Sequence, residues 1–546
     1  MAAVGQEAPT LFLRKATGLV KGWSKFDAFL YSFMSVNFVT LGLFFALSVL
    51  AFVPTGQVLP ALLISGVFVT FLVITYASLI SVMPRAGGDY VWQSRVLGGG
   101  IAFVLAVTGW WFILWYWAPV YANILNVEVF QPLAALFKWN GVSDFLATKT
   151  GLFTVVVITV VLAGFLVSLG MEGYAKVQKY CFYLGAALLA VVFLVMLFGS
   201  RSGFQSAFNQ ESANLFGTHG DVYTQTIKVA QTNNGGPIVP SLGLSPFFGK
   251  SLLLIPFLRF WILWPNWGAT LYGEVRGASD FKRVMSGMMW GLWGTVAVAA
   301  VFILLASKFF GWQFFNGANL NYWAPIYGFG KATIPIWPYP PLLASFYFHN
   351  TLISGLIVLA FGVWFLGWAG TLFLSSTRVI FAAAFDRVLP ERVADVSEKR
   401  GVPIWALVLM LVPSIGVGAL YAYTSNFATY ILDATLVIAI TFFGTSIAAI
   451  ILPWRKKNLY QNSPIARYKV AGIPLITVSG LLTAAFLGFN LWEWFKNDLY
   501  AVNNKDSLVF MGAMYVLALV IYVVAKIYRK SQGIDLKSIY QEIPVE

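Results

Sequence analysis

Charge is what this chain has least of. Asp, Glu, Lys and Arg make up 10% of its 546 residues and 59% are hydrophobic, whereas a soluble domain carries about 25% charged residues. That balance excludes a water-soluble globular protein. Cysteine is nearly absent: Cys181 stands alone in the apolar run KYCFYLGAALLAVVFLVMLF, which excludes an intramolecular disulfide and a thiolate metal cluster. Histidine is limited to His219 and His349, too few for a histidine metal centre, so no metal and no cofactor is expected. His349, just before a hydrophobic run, reads as a solvated loop residue. The acidic residues lie mostly in loops among bases and form no convergent catalytic set, so an enzyme is not expected. Residues 1–25 hold Arg14, Lys15, Lys21 and Lys25 without the apolar core of a cleaved leader.

What the chain has in abundance is long apolar runs. A bilayer needs about 20 such residues per helix, and runs of that kind occupy 27–53, 59–83, 100–125, 152–170, 179–199 and 250–273. They continue at 286–307, 351–378, 403–423, 427–453, 473–493 and 508–528, which predicts an all-α integral membrane protein of about twelve helices. The net charge of +14 sits mostly in the short loops between them. It therefore reads as the positive-inside bias rather than as a nucleic-acid surface, and it places both termini in the cytoplasm. The two longest loops, 200–249 and 308–350, then face outward. The first, with its stretch FQSAFNQESANLFGTHG, reads as irregular surface structure. Of the aromatic run GWWFILWYWAPVY at 109–121, most rings are expected at the lipid or the interface.

Two spans carry residues that a lipid-facing helix avoids. SFMSVNFVTLGLF in the first contains Ser35, Asn37, Thr40 and Gly42; WILWPNWGATLYG in the sixth contains Pro265, Asn266 and Gly268. Pro265 removes a backbone donor and clashes with the preceding turn, so the sixth helix is expected to break there. Broken helices at membrane depth line a protein interior or a water-filled cavity. The two spans are five helices apart, the spacing of two inverted repeats that each open on a discontinuous helix. The division is then 27–199 for the first repeat, 250–453 for the second and 473–528 for two additional helices.

Three further segments carry a family resemblance. SVMPRAGGDYVWQSRVLGG (81–99), GEVRGASDFKRVMSG (273–287) and RVIFAAAFDRVLPERVADVSEKRGVPIWAL, which ends at Leu407, together resemble the amino acid permeases of the amino acid, polyamine and organocation transporter superfamily. The resemblance covers roughly residues 14–530. It implies a LeuT-type fold and secondary transport of an amino acid or related amine across the plasma membrane by alternating access, as ion-coupled symport or exchange. It also implies that backbone groups at the two breaks, about Ser35 to Gly42 and Ile262 to Gly268, bind the substrate. Ser35, Val36, Asn37, Phe38, Thr40 and Gly42 are the candidates on the first broken helix. Ile262, Trp264, Asn266, Trp267 and Gly268 are those on the second. The chain departs from the pattern at both places, with SVNFVTLG for a glycine-rich segment and WPNW at the second break. Gly185 stands near the point where many proton-coupled members carry a lysine in helix five.

Two charged residues fall inside spans, Arg259 and Asp433, and intramembrane charges usually face a cavity or each other. They are read as an outer gate that pairs on closing, with capture of a substrate carboxylate as the alternative role of Arg259. Thr371, Ser375 and Ser376 offer hydroxyl oxygens to a sodium ion, although such residues also serve as small packing contacts between membrane helices. The expected partners are an amino acid, a coupling proton or sodium ion, and membrane lipid. A polyamine, organic cation or nucleobase transporter of the same fold is the alternative.

Overall fold

The computed structural model describes residues 19, 21–44, 52–424, 427 and 430–543. Residues 1–18 and the expected outer half of the first span, 45–51, lie outside them. Among the described residues, ten helices are long and apolar enough to cross a membrane. They coincide with ten of the twelve expected runs, and the two that are missing are the first and the sixth, the segments whose sequence predicts a break.

The first segment is α1 (Lys25–Val36), started by a capping box between Ser24 and Asp27. After it come α2 (Val58–Val82), the short α3 (Gly88–Val96) and the long α4 (Gly99–Leu136), which widens into π-type turns at Phe103–Phe112 and Asn126–Phe130. Next are α5 (Lys149–Ser168) and α6 (Gly170–Phe198).

The 200–249 stretch is not irregular. It forms α7 (Arg201–Phe216) and α8 (Val222–Asn234), each with a side-chain N-cap, from Ser200 and Asp221. Phe204 and Phe208, one turn apart on α7, are fully buried, and the Phe314 ring packs on both. Two capped helices with a shared apolar face are what the polar composition concealed. Hydrogen bonds from Thr224 hold the Asp221 carboxyl below its ordinary range.

The second broken segment begins with α9 (Leu254–Ile262). It is followed by α10 (Phe281–Ala306), α11 (Trp312–Ile326), α12 (Thr351–Phe385), α13 (Ile404–Tyr423), α14 (Ile431–Arg455), α15 (Leu475–Lys496) and α16 (Lys505–Ser531). One apolar core joins nearly all of them. The broken segments lie in its centre, against α2, α10 and α12.

The aromatic run of α4 faces this core rather than lipid. Trp110, Trp111, Phe112, Tyr116, Trp117 and Tyr121 are all buried. Lipid tails and protein interior are equally apolar, so the composition of the run did not distinguish them.

Candidate functional site

The first break is made by one residue. Asn37 follows α1 in the left-handed conformation, φ 46°, and the chain then makes a single wide turn over Phe38–Gly42. Asparagine tolerates this region better than other side chains because its amide bonds locally. The Asn37 Oδ1 accepts from the Thr40 backbone N–H at 3.1 Å and from the Trp364 indole N–H at 2.8 Å. Trp364 in turn packs against Gly185, where a Cβ would stand 2.1 Å from its ring. The space a side chain at residue 185 would need is thus filled by the indole that fastens the break. Replacing Trp364 with Phe should lower stability by about 1 kcal/mol, because Asn37 Oδ1 keeps the Thr40 N–H but loses the indole donor, read as a lower unfolding midpoint in detergent.

The second break runs from Leu263 to Asn266, after which a 3₁₀ turn spans Trp267–Glu274. Pro265 has no N–H to give, and Asn266 begins the turn without a side-chain capping bond. The two breaks touch directly. Ser32 Oγ donates to the Pro265 carbonyl at 2.8 Å. Gly42 admits the Trp261 ring, which lies 2.7 Å from where a Cβ would stand. Ser375 Oγ donates to the Trp267 carbonyl at 2.8 Å and lies 2.9 Å from the Tyr31 hydroxyl, so α12 ties the second break to α1.

Between the breaks lies a small cavity. Ser35 and Leu41 line it from the first segment, Trp264 and Trp267 from the second, Leu114, Trp117 and Tyr121 from α4, and Thr371 and Leu372 from α12. Of the residues singled out from the sequence, Ser35, Trp264, Trp267 and Thr371 line it. Val36, Asn37, Phe38, Thr40, Gly42, Ile262, Asn266 and Gly268 are buried in the same two segments without lining it. Sequence reasoning missed the α4 contribution. The Trp117 ring stacks on Phe260 at 4.7 Å and meets Trp264 edge-on at 5.7 Å, and its indole N–H has no protein partner. Tyr121 stacks on Trp368 and its hydroxyl lies 3.2 Å from that of Thr371. Among the described residues no charged side chain lines the cavity.

The hydroxyls of Thr371, Ser375 and Ser376 all have protein partners, Ser376 donating to the Leu372 carbonyl at 3.3 Å. Among the described residues no group of His, Cys, Asp and Glu is placed to hold a metal ion. Arg259 and Asp433 are both buried but form no ion pair with each other in this structure. The Arg259 guanidinium lies 3.3 Å from the centroid of the Phe486 ring instead.

Two buried ion pairs form elsewhere. Arg378 makes a two-pronged contact to Glu274, at 2.8 and 3.0 Å, and Arg95 makes another to Asp386, at 2.5 and 2.8 Å. All four side chains are buried. These pairs join α3, the turn after the second break, and the end of α12. They are the three segments that carry the family resemblance. Gly87 and Gly88 let them close up: both have positive φ, and a Cβ would meet Ala382 at 2.5 Å in one case and the Thr270 backbone at 3.0 Å in the other. The C-terminal stretch covers the same region. Arg529 donates to the Arg387 and Leu389 carbonyls, Arg95 Nε donates to that of Glu542, and the Tyr540 ring rests on Gly99.

A family model described as amino acid permease matches residues 26–525, from the start of the first broken helix nearly to the end of α16. No curated protein matches the chain. The matched stretch takes in both breaks, the cavity between them and all three clamped segments, and on that match the chain belongs to the amino acid permease family, membrane transporters of amino acids.

Proposed function

We propose that this permease carries an amino acid, or a related amine, through the plasma membrane by alternating access around the cavity between the broken helices. The observation that carries the reading is that residues beside both breaks, Ser35 on one and Trp264 with Trp267 on the other, line one cavity. Backbone N–H groups at an interrupted helix suit a substrate carboxylate, and unwound carbonyls suit an ammonium. The lining adds four aromatic rings and no charge, which favours a substrate with an uncharged side chain, because a charged one would be buried without a partner. The division into repeats at 27–199 and 250–453, with two additional helices at 473–528, and cytoplasmic termini belong to the same reading. In that orientation the Arg378–Glu274 and Arg95–Asp386 pairs close the inner face.

Counterflow tests it. Proteoliposomes loaded with an unlabelled neutral amino acid should transiently accumulate the labelled one, and Trp267→Ala should reduce the rate by roughly a hundredfold, since small misplacements at a site cost about that much. Absence of counterflow with every amino acid tried, in protein that is monodisperse, would overturn the reading. Comparing uptake with sodium present or absent, and with or without a pH gradient, separates symport from exchange.

A further inference from the structure

Arg259 is a buried charge whose surroundings the transport reading leaves unexplained. It is 0% exposed, and none of its three guanidinium nitrogens has a hydrogen-bond partner among the described residues. Arginine does not lose its proton in proteins, so the group remains a cation at the centre of a membrane bundle. Leaving such a charge uncompensated is among the most expensive arrangements a fold can hold.

The side chain points away from the cavity. On α9, Phe260 faces Trp117 beside the cavity and Trp261 faces Gly42 of the first break, whereas Arg259 faces Phe486 of α15. Polar groups on the two helices that pack around that ring are also unsatisfied. Phe68 of α2 stacks on the same Phe486 ring at 4.3 Å, and Thr75 lies 3.2 Å from Thr483, so α2 and α15 run antiparallel. That register sets Ser65, one turn from Phe68, level with Asn490, one turn from Phe486. Ser65 and Asn490 are both fully buried; the Ser65 hydroxyl and the Asn490 Oδ1 have no partner, while the Asn490 Nδ2 donates to the Phe486 carbonyl. Asp433 on neighbouring α14 also keeps an unpartnered Oδ2, but it does not reach the guanidinium.

A cation without an acceptor, a hydroxyl free to donate, and a closed apolar surround describe half of a binding site. We infer that Arg259, with Ser65, seats a small monovalent inorganic anion of the chloride type between α2, α9 and α15. Complete burial excludes anything much larger than a few atoms, and a single positive charge among neutral neighbours matches a single negative one. The guanidinium donates to the ion from one side and Ser65 from the other. The site is separate from the substrate cavity and does not depend on which substrate is carried. Because α9 is the half-helix that leads into the second break, occupancy there holds that half-helix to α2 and α15.

Thermal unfolding of the full chain in detergent tests this, with chloride replacing gluconate at constant sodium and ionic strength. A ligand bound to the folded state raises its stability by mass action, so the wild type should show a saturable rise of about 2 °C or more, with bromide acting like chloride. Arg259→Gln should unfold at the same temperature in both salts, Ser65→Ala should need severalfold more chloride for half the effect, and Asp433→Asn should respond like the wild type. A wild type indifferent to chloride overturns the assignment. So does a response that survives unchanged in Arg259→Gln or, if that variant does not fold, in Ser65→Ala.

Discussion

Replacing Arg378 with Met is expected to destabilise the protein by about 3–5 kcal/mol, the cost of leaving the other half of a buried ion pair alone. Glu274, its partner, is 2% exposed and takes two hydrogen bonds from the guanidinium, with the remaining nitrogen donating to the Thr377 hydroxyl. With a net stability of about 5–15 kcal/mol typical of folded proteins, a loss of that size should appear as a large fall in the unfolding midpoint and in the yield of monodisperse protein. Glu274→Gln should fall in the same direction, because the arginine then remains as the uncompensated charge. The double replacement Arg378→Met with Glu274→Leu should recover most of the stability, since an apolar pair of similar volume often equals or betters a buried salt bridge. Transport should not recover with it. The pair joins α12 to the turn directly after the second break, so the folded double variant lacks the polar contact that closes the inner face in the proposed reading. Recovery of both stability and transport would instead make the pair a purely structural link.

How much of this was legible in the sequence depends on the range of the interaction. A membrane helix announces itself over some 20 consecutive residues, and a break announces itself through residues that oppose helix formation, such as Pro265. The run positions and both breaks were therefore readable. Pairings were not, because Glu274 and Arg378 are 104 residues apart and Arg95 and Asp386 are 291 apart, with no local pattern connecting them. Arg378 is the last residue of the predicted run 351–378, yet it is completely buried, because its partner comes from another part of the chain. Trp117 and Tyr121 were hidden for a different reason: a ring facing protein and a ring facing lipid need the same apolarity. The helices α7 and α8 did leave a signal, in their capping Ser200 and Asp221 and in the spacing of Phe204 and Phe208, which bulk polarity outweighed.

Asp89 was equally invisible as a hub, and its removal should have the other large effect. Its carboxylate is fully buried and accepts from the Tyr76 hydroxyl at 2.5 Å, the Thr445 hydroxyl at 2.6 Å and the Trp110 indole N–H at 3.0 Å. Those donors come from α2, α14 and α4, so one side chain on α3 holds three membrane helices. Asp89→Leu strands all three donors at about 1–3 kcal/mol each, and that sum rivals the whole stability of a typical protein; no folded product is expected. Asp89→Asn is milder. It retains one acceptor oxygen but turns an amide donor toward one of the three donors, a loss of about 2 kcal/mol. Its functional consequence should run through Trp110, whose ring lies 4.6 Å from that of Trp267 at the cavity. A displaced Trp110 leaves Trp267 less well supported, so KM in counterflow should rise more than the rate falls. Trp110→Phe keeps a ring but removes the N–H, so it no longer competes for the carboxylate. Combined with Asp89→Asn it should therefore restore part of the stability lost by Asp89→Asn alone, a coupling of the kind that contacting residues show in a double-mutant cycle. Strict additivity of the two changes would mean that the indole is not the link, and the effect on the cavity would then have to pass through Tyr76 or Thr445.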